Sequence, residues 1–87
     1  MGRRRRSSMI KLRDIRRINN IISCRILPED ATSFGSLVVD VSNHSIMAYD
    51  LPDGYKWCIN HVHHAAEALY RMDSTNIITT EKNVTWG

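Results

Sequence analysis

Glycine and proline are scarce in this chain, at four and two of 87 residues. Gly2, Gly35, Gly54 and Gly87 stand isolated, which excludes a glycine-rich phosphate-cradling loop, and neither a serine elbow nor a carboxylate pair at identifiable spacing is present. An enzyme is therefore not expected. There are two cysteines, Cys24 and Cys58, and both fall on apolar faces; in a reducing compartment they read as small buried hydrophobes rather than a disulfide. No apolar run approaches the ~20 residues of a membrane helix, and the early Arg run is not followed by the apolar stretch of a signal peptide. The expectation is a cytoplasmic protein without a membrane partner.

What is present is the composition of a folded domain. The 43% hydrophobic and 24% charged residues are ordinary for a globular protein and argue against disorder. A chain this short has room for one domain, which buries roughly 60% of the surface its unfolded form exposes. The formal charge of +3 is unevenly placed. From Met9 onward eight cations face nine acids, so the surplus belongs to Arg3–Arg6. In a bacterial gene a translated AGGAGG ribosome-binding sequence reads Arg-Arg, and Ser7-Ser8 would be its spacer before a start at Met9. Residues 1–8 are thus expected to be a basic disordered tail, and residues 9–87 a single α+β domain.

Within that domain Leu12, Ile15, Ile18 and Ile22 recur at three- and four-residue spacing and predict a short helix over about 12–17. Alternation then takes over and predicts strands at about 20–27, 36–41 and 45–51, the last two joined by a turn at Ser42-Asn43-His44. In the third strand Met47, Tyr49 and Leu51 share a face opposite Ile46 and Ala48, and Phe34 is expected to fold back onto the core. Asp53 offers an N-cap and Pro52 with Trp57 a hydrophobic staple for a main helix over about 55–72. Its stripe is Cys58, Val62, Ala65, Leu69 and Met72, widened by Ile59, Ala66 and Tyr70 on one side and His61 and Ala68 on the other. Val84 and Trp86 alternate and suggest a short last strand.

The densest chemistry lies in Cys58-Ile59-Asn60-His61-Val62-His63-His64. Helical geometry divides it: His61 and His64 share the flank that carries Trp57, whereas His63 points to the polar side. Cys58 and His61, with Cys24 or His44, are weak candidates for zinc, because the short-spaced ligand pairs of known zinc motifs are missing. A Cys58–His61 nucleophile pair is disfavoured, since both side chains lean toward the helix N-terminus. The order helix, three strands, helix is shared with double-stranded RNA-binding domains, with Arg13, Arg16 and Arg17 as carriers, although Tyr55-Lys56-Trp57-Cys58 supplies one cation where such domains place a lysine cluster. Trp57, His61 and His64, joined by Trp86, form an aromatic edge of the kind that anchors protein interfaces.

Leu51-Pro52-Asp53-Gly54-Tyr55-Lys56-Trp57-Cys58, then His61, His64-Ala65, Leu69 and Lys82-Asn83-Val84-Thr85-Trp86, resembles a group of small uncharacterised proteins carried by conjugative and other mobile elements of Gram-positive bacteria. The terminal Gly87 departs from the aromatic ending of that group. The resemblance implies a bacterial cytosolic setting and an accessory role. Taken together, the expectation is a three-stranded antiparallel sheet with one main helix across it, without cofactor, acting as a protein-interaction module whose partner is another protein or a second copy. An RNA- or DNA-binding regulator is the alternative, and a zinc-binding protein the third class.

Overall fold

Period-two patterning governs the first half of the chain and period-3.6 patterning the second. The computed structural model describes residues 8–86. They form β1 (Ser8–Ile18), β2 (Ile21–Pro28), β3 (Gly35–Asp40), β4 (Ser45–Asp50), α1 (Ile59–Thr75) and β5 (Lys82–Trp86). The basic run at residues 3–6 lies outside the described residues. Ser8, expected in the tail, already pairs with Trp86.

The α+β class is as expected, but the sheet has five antiparallel strands rather than three, in the order β4-β3-β2-β1-β5. The first additional strand occupies the place of the predicted N-terminal helix. Ile10 and Leu12 alternate inward as strand residues do. Between Arg13↔Arg25 and Arg16↔Ser23 the register shifts, so that Asp14 and Ile15 stand opposite Cys24 alone. Asp14 takes the left-handed conformation (φ 53°) at this bulge. The extra residue stretches the inward spacing from two to three, and Leu12-x-x-Ile15 thereby mimics one turn of a helix. With that helix gone, the order shared with double-stranded RNA-binding domains is gone as well.

A second bulge redirects β4. Val38 pairs with Ala48 but Val39 with Ile46, leaving Met47 as the extra residue. Ile46 and Tyr49 therefore lie on the same face as their partners Val39 and Leu37, and the expected grouping of Met47 with Tyr49 is broken. The tight turn before β4 is organised by Asp40, whose carboxylate accepts from the Ser42 hydroxyl (2.7 Å) and the Ser42 and Asn43 backbone N–H groups. These bonds hold its pKa below the usual carboxylate value, the Ser42 hydroxyl contributing most.

The chain crosses from β4 at one edge to β5 at the other through α1, which packs on one face of the sheet. Cys58, Val62, Ala65, Leu69 and Met72 are all buried, as are Ala66, Ala68, Tyr70 and His61; Ile59 is not. They meet Ile10, Leu12, Ile22, Ile26, Leu37 and Val39 from the strands. The helix starts at Ile59 rather than 55 because two successive turns, Tyr55 N–H to Pro52 O and Cys58 N–H to Tyr55 O, absorb the preceding residues. Asp53 consequently caps nothing there: the N-cap is Cys58, without a side-chain bond. Asn76 in the left-handed conformation closes the other end (φ 60°). No helix among the described residues is long and apolar enough to cross a membrane.

Candidate interaction site

Four residues singled out from the sequence come together at the start of α1. The His61 ring meets Trp57 edge-on at 5.5 Å and Trp86 edge-on at 4.8 Å, while His64 stacks on Trp86 at 4.0 Å. Helical spacing places His61 and His64 on one flank, and the Ser8↔Trp86 pairing at the end of β5 brings the second indole under them. Trp57 is 64% exposed, with its indole N–H donated to Gly54 O at 3.1 Å. A large apolar surface is thus fixed in one orientation and left facing solvent.

Underneath lies a polar pair that sequence reasoning missed. His61 is 6% exposed, and its Nε2 lies 2.6 Å from Oε2 of Glu29. The same carboxylate oxygen accepts from the Met9 backbone N–H at 3.2 Å. Glu29 sits just beyond β2 in the left-handed conformation (φ 51°), with its N–H donated to Met9 O. Beside it Asp30 accepts the Tyr55 hydroxyl at 2.6 Å, and this bond is the first cause of a raised Tyr55 pKa. The β2–β3 loop therefore locks the segment that leads into α1. Glu29 and His61 are separated by 32 positions, and the only local signal was an acidic doublet following Pro28.

The geometry bears on the nucleophile and zinc classes. Nδ1 of His61 is buried and makes no hydrogen bond among the described residues, so it is not bonded to the Cys58 thiol. Burial, and then the nearby Glu29 carboxylate, raise the Cys58 pKa, the opposite of what activates a nucleophilic cysteine. Cys24 is buried in the sheet, its pKa pushed up to about 12 by desolvation. His44 stacks flat on Tyr70 at 4.5 Å. No group of three or more His, Cys, Asp or Glu among the described residues is placed to hold a metal ion.

The arginines proposed for nucleic acid lie on β1 and do not share a face. Arg13 and Arg16 pair with Arg25 and Ser23 on the sheet face opposite α1, whereas Arg17 turns to the helix side and forms a 2.6 Å ion pair with Asp73. Arg13 pairs with Glu81 at 3.2 Å, and Arg25 with Asp14 at 3.1 Å. Phe34 does not enter the core: it lies under the Arg25 guanidinium, 4.0 Å from ring centroid to charge, and remains 39% exposed.

Next to the aromatic cluster an open groove of about 900 Å³ runs between α1 and β5. Ala68, Met72, Val84 and Trp86 give it apolar walls, and Glu67, Arg71 and Lys82 its charged rim. β5 is an edge strand, paired with β1 on one side only. Among the described residues, the fold and this flank define a one-helix, five-stranded α+β domain with an aromatic edge and an uncovered strand. No protein-family model matches the chain, and no curated protein or solved structure matches it either.

Proposed function

We propose that this chain is a non-enzymatic protein-interaction module whose docking surface is the flank formed by Trp57, His61, His64 and Trp86 with the adjoining edge of β5. One observation carries the reading: Trp57, the more exposed of the two indoles in this cluster, is held in place from both sides, by Gly54 O and by the His61 ring. A side chain fixed before binding loses little rotamer entropy on complex formation, which is the property of an interface anchor. The Glu29–His61 pair, buried on its imidazole side, supports that anchor from beneath. In a bacterial cytosol the role is that of an accessory protein of a mobile element, as the resemblance implies.

The test is recovery of the tagged chain from its host with wild-type Trp57 and with Trp57→Ala. Trp57 is largely exposed, so the substitution is expected to leave folding intact by circular dichroism while depleting the captured partner at least tenfold, on the order of a hot-spot loss. Equal recovery by both forms overturns the reading.

A further inference from the structure

We infer that the occupant of the β5 edge is a second copy of this chain, paired antiparallel through β5 about a two-fold axis at Val84. This rests on the reading of the α1–β5 flank as an interface and names its partner.

The backbone supplies the first support. Ile15 N–H donates to Thr80 O, and Glu29 N–H donates to Met9 O. In an antiparallel ladder the groups alternate in direction, so Met9 facing β2 leaves Ser8, Ile10 and Leu12 facing β5. Their partners Trp86, Val84 and Lys82 then face β1, and the N–H and C=O groups of Asn83 and Thr85 point to the open edge. An axis at Val84 sets Asn83 of each copy against Thr85 of the other. Both residues offer a donor and an acceptor there, so this register satisfies every outward group of the two strands.

The side chains agree with the same register. It places Lys82 of each copy opposite Trp86 of the other, an ammonium against an indole, and Val84 against its own counterpart. On the helix the groove walls include Glu67 and Arg71, one turn apart and both exposed. His64 stacks on Trp86 at the end of β5, and Asp73 near the other end of α1 pairs with Arg17, beyond the β1 residues that meet the start of β5, so α1 runs antiparallel to β5. With rises of about 1.5 Å per helical residue and about 3.3 Å per strand residue, the Glu67–Arg71 turn comes level with Val84. A two-fold axis there sets Glu67 of one helix against Arg71 of the other, and the reverse, giving an isologous contact with opposite charges matched.

The two edges of the sheet differ in the way this requires. β4 carries the Met47 bulge, and Lys56 reaches over its end to Leu51 O at 2.6 Å; bulges and lysines are devices that block edge pairing. β5 pairs with β1 without any register shift. It is the straight, open edge of the sheet.

Sedimentation equilibrium of the full chain from micromolar to millimolar concentration tests the inference, with three variants. Thr85→Pro deletes an N–H that points to the open edge and none of the β1 ladder, so the dilute variant should melt like the wild type while its dimer weakens at least about tenfold. Glu67→Arg should weaken the dimer several-fold, and Glu67→Arg with Arg71→Glu in the same chain should restore it. A wild-type chain that stays monomeric at millimolar concentration, a Thr85→Pro variant that dimerises equally well, or a double reversal that restores nothing would each overturn the second copy as occupant. Trp57-dependent capture of another protein by such a monomer would leave the interaction module standing with a different partner. Loss of both would remove both proposals.

Discussion

Removing the Glu29 carboxylate should cost this protein more than removing the imidazole it meets. The two groups lie 2.6 Å apart, but His61 has a side chain 7% exposed and Glu29 one 24% exposed. In Glu29→Ala the imidazole keeps its buried place with Nε2 unpartnered beside an Nδ1 that has no bond among the described residues, and the Met9 N–H loses an acceptor. Orphaning a buried polar group costs about 1–3 kcal/mol, so the expectation is about 2–3 kcal/mol. His61→Phe retains a ring between Trp57 and Trp86 and leaves a carboxylate that water can reach, for an expected loss under about 1 kcal/mol. Glu29→Gln, which keeps an acceptor, should fall between the two. Urea denaturation of the single variants and of Glu29→Ala/His61→Phe completes a cycle, and the double variant should be no less stable than Glu29→Ala alone. If His61→Phe destabilises as much as Glu29→Ala, the ring owes its position to packing and the asymmetry argued from burial is wrong.

Three further outcomes follow from the geometry. A Cβ on Gly35 would lie 2.0 Å from the backbone oxygen of Asp50, so Gly35→Ala must push β3 and the chain leaving β4 apart; a loss of about 2–4 kcal/mol is expected by denaturant melting, and a loss under about 0.5 would show that the close approach is not rigid. Asp40 has a lowered pKa in the folded state, so its contribution to stability is present above the ordinary carboxylate pKa and disappears as pH falls through the lower folded value. Wild type should therefore exceed Asp40→Asn in urea midpoint at neutral pH, with the gap closing below about pH 4; a gap that is constant with pH would contradict this. Cys24, with its pKa near 12, and the fully buried Cys58 should resist alkylation at pH 8 until the chain unfolds, and rapid native labelling would show that the sheet opens locally.

The helix was legible because a buried stripe at period 3.6 over 17 residues is a strong regular signal, and its small residues Ala65 and Ala66 do lie against the core. β1 was not, because one inserted residue at Asp14 converts an alternating pattern into one with helical spacing, and only the partner strand reveals a bulge. Met47 produced the same kind of error in β4. The helix start was misplaced because Asp53 and Pro52 are good capping residues whose backbone is spent on a preceding turn, Pro52 O accepting from Tyr55 rather than opening the helix. Of the aromatic cluster, the shared flank of His61 and His64 was readable from helix geometry, whereas Trp57 reaches it from the turn that precedes α1. Glu29 and Asp30 were not: their roles depend on which loop the sheet order brings beneath α1, and a local pattern carries no such information.

The nucleic-acid alternative can be judged by how many charges the open sheet face has to offer. Lys11, Arg13, Arg16 and Arg25 lie on it by register, but Arg13 and Arg25 are engaged by Glu81 and Asp14. Only Lys11 and Arg16 have no ion pair among the described residues. Each phosphate neutralised by a protein cation contributes about 0.9 to the slope of log affinity against log salt on duplex DNA. Replacing Lys11 and Arg16 by Ala in the full chain should therefore reduce that slope by no more than about 2, and further replacement of Arg13 and Arg25 should change it little. Fluorescence titration of a duplex across a salt series measures this directly. A reduction of about 4 for the quadruple variant would mean that nucleic acid displaces Glu81 and Asp14 from their arginines. The open face would then be a phosphate-binding surface, and the interaction role assigned to the opposite flank would have a competitor.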